Sequence, residues 1–310
     1  MRVLLALGGN AMTNAQGRAR VEDQQAAAVV AMRAVAELIE AGADVVVTHG
    51  NGPQVGNLLV KNEVAAAVVP PVPLDWCGAQ TQATLGFTLM NALDNEFTVR
   101  GIDCPSATVV TRTLVAADDP GLTRPSKPIG RFLPEADARR LIGHGEMWEG
   151  RGEKGWRRVV ASPEPLEILD GRAVRTLVDA GFVVVANGGG GIPTVREDGV
   201  LRGVEAVIDK DLGAAVLALT VAADVLVVAT DVPNAVLGFG TPEAEPLGRV
   251  TVTQMREHLA AGHFASGSMG PKVDAACRFV EQGGSHAAIT ELSQIRDAVT
   301  GRAGTVVVPA

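Results

Sequence analysis

Strand-like and helix-like segments alternate along nearly the whole chain, and this alternation limits the possible folds more than any other feature. The strand-like segments are short and almost entirely apolar, as in "RVLLAL", "DVVVTH" and "FVVVAN", and glycine follows each of them. Between them, apolar residues recur at helical spacing, as at Val29, Met32, Ala36 and Ile39. Strands without polar alternation are buried on both faces. We therefore expect an α/β fold in which helices cover both faces of a mainly parallel sheet.

The rest of the chain continues this pattern, with one interruption. The spacing predicts helices at "LDWCGAQTQATLGFTLMNAL", "RAVRTLVDAG", "DKDLGAAVLALTVA", "TVTQMREHLAAG" and "SMGPKVDAACRFVEQ". It predicts strands at "PSATVVTRTLV", "ADVLVVATDV", "SHAAIT" and "GTVVVPA". Residues 118–156 differ, because they are rich in Pro, Gly, Arg and Glu and contain two of the three tryptophans. We interpret this segment as a protruding insertion, a lid or a small subdomain.

Composition excludes several classes of protein. The chain has 310 residues, of which 47% are hydrophobic and 20% charged, and these values suit a large folded core. A net charge of −8 argues against nucleic acid as a partner. No apolar run reaches the length of a membrane span, and the first residues lack the basic start and apolar segment of a signal peptide, so we expect none. Cys77, Cys104 and Cys277 lack metal-ligand spacing, so we expect buried thiols and a cytoplasmic protein.

Four strand-like segments end in loops of glycine and small polar residues. These loops are "GGN" at 8–10, "THGNGPQVG" at 48–56, "NGGGGIP" at 187–193 and "TDVPNAV" at 230–236. Ligands of open α/β sheets bind at the carboxyl ends of the strands, and glycine-rich turns present backbone N–H groups to phosphate. Each loop alone could be a tight turn, but four of them favour a binding cleft. Their glycine spacing matches neither a dinucleotide fingerprint nor a P-loop.

Lysine is rare in this chain, with only five residues against 22 arginines, and three of the five have unusual neighbours. Lys127 lies in "PSKPIG", Lys210 in "VIDKDLG" and Lys272 in "GSMGPKV". Singly, Lys210 could belong to a capped helix start, and Lys272 could be a solvated residue in a first helical turn. The first glycine loop has no basic residue between Arg2 and Arg18. We therefore expect Lys127, carried by the insertion, to supply the positive charge that an anion in that loop requires.

Several motifs together resemble those of the carbamate kinases, a branch of the amino acid kinase superfamily. They are "LALGGNAM", "THGNGPQVG", "PLDWCGAQ", "PSKPIG", "GWRRVVASPEP", "GGGGIP", "GVEAVIDKDL" and "GSMGPKV", and the likeness covers nearly the whole chain. The resemblance implies a three-layer αβα sandwich around a mainly parallel eight-stranded sheet, in one domain of residues 1–310. Residues 1–181 would form the lobe for the small substrate, with the protruding subdomain at about 118–156, and residues 182–310 would form the nucleotide lobe. It also implies a homodimer.

The resemblance further implies a reaction, in which a phosphoryl group moves reversibly between carbamoyl phosphate and ADP to give carbamate and ATP, with Mg²⁺. The catalytic groups would be Lys127, Lys210, Asp211 and Lys272, with Asp211 orienting the lysines. The carbamoyl and phosphoryl groups would bind at Gly8, Gly9, Asn10, Gly50, Asn51 and Gly52. The nucleotide would bind near Asp209, Thr230, Asp231, Met269 and Gly270. No protein metal cage is expected, because Mg²⁺ would bind phosphate oxygens and water.

Two alternatives and one departure from the family pattern stay open at this point. Relatives often have Asp and Tyr where this chain has Asn234 and Leu237, so selectivity for the nucleotide base does not follow from the sequence. A sibling kinase for another small acid is one alternative, although "PSKPIG" is specific to the carbamate kinase branch. A catalytically silent protein that senses carbamoyl phosphate or nucleotide is the other. The presence of all three lysines in a lysine-poor chain argues against silence.

Overall fold

The apolar strands assemble into one central sheet of eight strands. The structure is a computed structural model that describes residues 1–9, 13, 20–143, 145–265 and 267–310. Its strands are β1 (Arg2–Leu7), β2 (Asp44–His49), β3 (Ser106–Val109), β4 (Arg112–Leu114), β5 (Lys127–Leu133), β6 (Trp148–Gly150), β7 (Trp156–Val160), β8 (Glu167–Ile168), β9 (Val183–Ala186), β10 (Ile192–Glu197), β11 (Val200–Gly203), β12 (Val225–Thr230), β13 (Val236–Leu237), β14 (Glu245–Pro246), β15 (Arg249–Thr251), β16 (His286–Glu291) and β17 (Thr305–Val308). The central sheet has the order β15-β17-β16-β12-β1-β2-β9-β3. Among these described strands, β16 and β17 form its one antiparallel pair, so the expected mainly parallel sheet is confirmed.

Helices cover both faces of this sheet. They are α1 (Val21–Glu40), α2 (Gly52–Ala65), α3 (Leu74–Arg100), α4 (Pro120–Thr123), α5 (Glu135–Ile142), α6 (Gly171–Asp179), α7 (Lys210–Thr220), α8 (Val252–Ala260), α9 (Met269–Glu281) and α10 (Ile295–Val299). None of the helices in the described part of the chain is both long enough and apolar enough to cross a membrane.

The side chains of β1 show how the three layers arise. Leu4 and Ala6 belong to a core formed with α6, α7, α8 and α9. Val3, Leu5 and Leu7 point the other way, into a core formed with α1, α3 and α10. All five are fully buried, because successive side chains of a strand alternate between its faces and both faces here are covered. The three-layer αβα sandwich expected from the sequence is confirmed.

The segment "PSATVVTRTLV" was expected to be one strand, and that expectation is wrong. β3 pairs with β9 in the central sheet, whereas β4 pairs with β10 in a second sheet of order β11-β10-β4-β8. The Gln82 side chain of α3 separates the two strands, since it accepts a hydrogen bond from the Thr111 N–H (2.8 Å) and donates one to the Thr111 carbonyl (3.1 Å). The Thr111 carbonyl also accepts a hydrogen bond from the N–H of Ile192 in β10 (2.9 Å), so at Thr111 the backbone passes from the central sheet to the second sheet.

The insertion contains a small sheet of its own. β5, β7 and β6 pair antiparallel in that order, and β7 continues to Val160, beyond the expected end at residue 156. This small sheet rests on α2, where a Cβ atom on Gly56 would lie 2.7 Å from the Cα atom of Gly130. Ile129 and Val160 of the small sheet share a buried cluster with Val55 of α2. The start of β5, where Lys127 lies, is therefore held against the body of the protein.

The close contact between α3 and β3 gives a test of this packing. A Cβ atom on Gly86 would lie 2.3 Å from Oγ1 of Thr108, so Gly86→Ala should destabilise the protein by roughly 1–3 kcal/mol. Gly78, in the same helix, has open space around its Cβ position. Gly78→Ala should therefore stabilise by roughly 0.5–1 kcal/mol. Urea unfolding of the two variants measures both effects, and shifts of the same sign would contradict the described packing.

Candidate functional site

Four loops meet at the carboxyl edge of the central sheet, because the strands that precede them are neighbours in the order β12-β1-β2-β9. The Gly8 N–H donates to the carbonyl of Ala229 in β12 (3.0 Å), and the Gly50 N–H donates to the carbonyl of Leu7 in β1 (3.0 Å). The Asn51 side chain reaches the next loop, where it occupies the space that a Cβ atom on Gly189 would need. The loops that the sequence analysis singled out thus form one site.

Glycine is required where the first two loops touch. A Cβ atom on Gly50 would lie 2.9 Å from the backbone N and Cα atoms of Gly9, a distance that real Cβ contacts do not show. The same Cβ atom would lie 3.2 Å from Cδ of Lys210, so the aliphatic part of this lysine passes close to Gly50. Gly52 begins α2, and Asn10 lies outside the described residues. Lys210 therefore lies beside the contact between the first two loops.

The three side chains of Asp209-Lys210-Asp211, at the start of α7, all form hydrogen bonds or ion pairs. Asp209 is the N-cap residue, and its Oδ1 atom accepts hydrogen bonds from the N–H groups of Asp211 (2.9 Å) and Leu212 (3.4 Å). Lys210 and Asp211 are the first two residues of the helix, and their side chains form an ion pair. An aspartate cap satisfies amides that the helix cannot, so this charged segment folds as a helix start for local reasons.

Asp211 lies between two lysines from different helices. Its Oδ1 atom pairs with Lys210, and its Oδ2 atom accepts a hydrogen bond from Nζ of Lys272 on α9 at 3.0 Å. Asp211 is only 3% exposed. Burial opposes its ionisation, but the two ammonium groups outweigh burial and hold the pKa of Asp211 below its usual range. Burial lowers the pKa of Lys210, and Asp211 acts against that shift. The result is a pair of cations fixed side by side by one shared carboxylate.

Lys127 reaches the same place from the insertion. Its ammonium group pairs with Oδ2 of Asp209, the N-cap residue of α7, across 82 positions of sequence. The structure therefore brings all three singled-out lysines to the start of α7, on two carboxylates. It places Lys127 on Asp209 in this state, and the expectation that Lys127 also supplies charge to a ligand in the first loop stays a prediction.

A cleft of about 900 Å³ opens beside this cluster. Its walls include residues that the sequence analysis assigned to nucleotide binding, together with Lys272 and the first loop; the assigned residues and glycines among them are Gly8, Gly9, Thr230, Asp231 and Met269. Gly270 follows Met269 in the first turn of α9 and is buried. Asn234 and the exposed Phe239 also line the cleft. A volume of this size accommodates a nucleotide.

The sequence analysis gave no individual role to two buried polar residues of the loops it singled out, His49 and Asn187. Asn187 is fully buried with φ +56°; its carbonyl accepts from the Thr48 hydroxyl at 2.9 Å, and its Oδ1 atom accepts from the Thr113 hydroxyl at 3.0 Å. His49, also buried, has its Nδ1 atom 3.0 Å from the Gly50 carbonyl, and burial lowers its pKa to about 4. A neutral His49 protonated on Nδ1 donates to that carbonyl. In the sequence, the polar residue Gln82 within the predicted buried helix was a sign of buried hydrogen bonds here, since its Nε2 atom donates to the Thr111 and Gly188 carbonyls.

Comparison with known proteins identifies the family. The model of the amino acid kinase family matches residues 1–291. The carbamate kinase of Thermococcus kodakarensis is 44% identical over 313 aligned residues, which cover 99% of this chain and 99% of that protein. The carbamate kinase of Pyrococcus furiosus is 42% identical, with the same coverage.

The fold agrees with this result. The structure of carbamate kinase from Giardia lamblia bound to AMP-PNP superposes with a TM-score of 0.93 at 40% identity, and the match covers 100% of this chain and 98% of that one. The chain therefore belongs to the amino acid kinase family, where its full-length likeness in sequence and fold groups it with the carbamate kinases, which are phosphotransferases.

Proposed function

We propose that this protein transfers a phosphoryl group reversibly between carbamoyl phosphate and ADP, giving carbamate and ATP. The observation that carries the proposal is the position of Lys210 and Lys272, which flank Asp211 beside the contact between Gly9 and Gly50. The 40–44% identity to carbamate kinases over the full chain supports carbamoyl phosphate as the substrate.

The proposed reaction needs positive charge more than it needs proton transfer. An oxygen of the ADP β-phosphate attacks the phosphorus of carbamoyl phosphate, and the bond from phosphorus to the carbamoyl oxygen breaks. The electron pair leaves with carbamate, so no proton has to move. Phosphoryl transfer of this kind depends on positioning and on compensation of charge on the phosphoryl oxygens. Lysines held by a buried carboxylate provide that compensation in a fixed place.

On the substrate side, the glycine loops provide backbone N–H groups and room for an anion. Gly8, Gly9, Gly50, Asn51 and Gly52, with Asn10, would hold the carbamoyl and phosphoryl groups. The Asn51 side chain is oriented by its hydrogen bond to the Thr81 hydroxyl (3.1 Å), which supports a fixed loop. The loop therefore needs little rearrangement to accept a ligand.

On the nucleotide side, the 900 Å³ cleft would hold ADP or ATP, with its phosphates toward Lys272 and the start of α9 at Met269 and Gly270. Mg²⁺ takes oxygen ligands and usually keeps several waters in addition to phosphate oxygens. Asp231, at the end of β12, lines this cleft and is a carboxylate of the type that such a hydrated ion accepts. Asp209 and Asp211 form ion pairs with lysines, so they are better suited to hold the lysine ammonium groups in place than to bind Mg²⁺.

The division into lobes and the homodimer also remain proposals. We propose residues 1–181 as the substrate lobe, with the insertion, and residues 182–310 as the nucleotide lobe of one cytoplasmic enzyme. For the homodimer, α3 offers Trp76 and Phe87, which are 61% and 58% exposed and lie 11 residues apart on one helical face. β3, which packs beneath α3, is an edge strand of the central sheet. An apolar helix face beside a sheet edge is a suitable surface for a second copy.

A coupled assay of ATP formation tests the proposed reaction. The protein should form ATP from carbamoyl phosphate and ADP with MgCl₂. Excess EDTA should abolish turnover, because Mg²⁺ compensates the negative charge of the nucleotide phosphates. Turnover with acetyl phosphate but not with carbamoyl phosphate would identify a sibling kinase. Binding of ADP without turnover of either compound would identify a silent sensor.

Replacement of Lys272 tests the role of the lysine pair. Lys272→Ala should reduce turnover by roughly 10²–10³-fold, because one charge partner of the phosphoryl group is lost while Asp211 keeps its pair with Lys210. Lys154→Ala, an exposed lysine of the insertion, is the matched control and should keep normal turnover. Steady-state kinetics at saturating substrates measure the effect, and an unchanged rate in Lys272→Ala would leave this residue with a structural role only, as an ion-pair partner of Asp211.

The proposed dimer surface has its own test. Trp76→Asp combined with Phe87→Asp should give a monomer in sedimentation equilibrium, because charge on that face opposes burial of the apolar surface. Val64→Asp, at an exposed apolar position of α2, is the control and should leave the mass unchanged. A wild-type protein that sediments as a monomer, or a double variant that stays dimeric, would disprove this surface.

A further inference from the structure

We propose that Asp209 is the positioning residue for Lys127, an inference that rests on the proposed function. The two oxygens of its carboxylate have separate tasks. Oδ1 caps α7 through the N–H groups of Asp211 (2.9 Å) and Leu212 (3.4 Å), and Oδ2 pairs with the Lys127 ammonium group. One side chain thus joins the helix that carries Lys210 to the insertion that carries Lys127.

Burial makes this contact specific. The side chain of Asp209 is 12% exposed, and that of Lys127 is 30% exposed. A carboxylate with so little water around it must be compensated by hydrogen bonds and opposite charge. The cap supplies the hydrogen bonds, and Lys127 is the cation of its ion pair. The seat of the insertion is therefore energetically linked to the start of α7.

The site also needs this carboxylate to assemble its charges. Lys127, Lys210 and Lys272 all end at the first turn of α7, and like charges so close together repel each other. Asp211 is shared by Lys210 and Lys272, so Asp209 is the carboxylate that remains for Lys127. Without it, the insertion would bring a third ammonium group to a place that already holds two. Asp209 accordingly determines the fraction of molecules in which Lys127 lies in the site, and it affects catalysis through that lysine.

The two tasks can be separated by substitution. Asp209→Asn retains an oxygen that can cap the helix but replaces the charged partner of Lys127 by a neutral amide. Asp209→Ser retains a capping hydroxyl and removes the group that Lys127 contacts. If Asp209 positions Lys127, both variants should keep the urea midpoint and the affinity for ADP close to wild type. Both should lower kcat about tenfold or more.

A double-mutant cycle gives the decisive comparison. The variants are Asp209→Asn, Lys127→Ala and the combination, with kcat and the KM for ADP measured for each. Because Asp209 acts through Lys127, the combination should be no slower than Lys127→Ala alone, within about threefold. Multiplication of the two single effects would show that Asp209 acts independently, and a wild-type kcat in Asp209→Asn would also overturn the proposal. Glu149→Gln, which removes an exposed carboxylate of the small sheet, is the control.

A measurement without turnover separates this proposal from the proposed function. Hydrogen–deuterium exchange of the ligand-free protein reports on residues 126–130, at the start of β5. Exchange there should become faster, about tenfold, in both Asp209→Asn and Lys127→Ala, and no faster in the combination. This result in a protein without carbamate kinase activity would disprove the function and keep the positioning role. Unchanged exchange in an active enzyme would disprove the positioning role and keep the function.

Discussion

The buried carboxylate of Asp211, held between Lys210 and Lys272, is the interaction on which the rest of the site depends. Two ammonium groups can share a nearly water-free place only when a negative charge lies between them. Asp211 meets this condition with one oxygen for each lysine. Since Lys210 is on α7 and Lys272 on α9, the pair also fixes the relative position of two helices that pack on the same face of the sheet. The electrostatic arrangement is thus part of the packing.

The glycine loops make this charge useful. Gly9 and Gly50 approach so closely that a single methyl group would separate them, and the Lys210 side chain passes beside the contact. Beneath them, the Thr48 hydroxyl donates to the Asn187 carbonyl, and Nδ1 of His49 lies within hydrogen-bond distance of the Gly50 carbonyl. Nδ2 of Asn187 is buried without a hydrogen-bond partner among the described residues, so this polar layer is not fully satisfied. The proposed anion site is formed by backbone N–H groups of the glycine loops and by the neighbouring lysines.

The insertion adds the third lysine, and its attachment is different in kind. A small apolar cluster with α2 holds the base of the small sheet, and one ion pair with Asp209 holds its first residue. Just after the small sheet, the Ala161 carbonyl accepts a hydrogen bond from the Val207 N–H (2.9 Å). The third lysine therefore reaches the site from a separate small sheet, whereas Lys210 and Lys272 are on helices packed against the central sheet.

The sequence by itself determined the layers and the loops. Continuous apolar strands are buried on both faces, so helices on both faces of a mainly parallel sheet followed from the apolar pattern. The meeting of the four glycine loops in one cleft followed because parallel strands end at one edge. The three lysines were identified by their rarity and their neighbours. The sequence did not determine the break at Thr111, where a side chain of α3 binds the backbone, nor which strands pair in the second sheet. It also left open which carboxylate holds which lysine. Asp209 and Asp211 are equivalent in the motif "DKD", and only the tertiary structure brings Lys127 to one and Lys272 to the other, because partners 82 and 61 positions away are chosen by packing and not by local sequence.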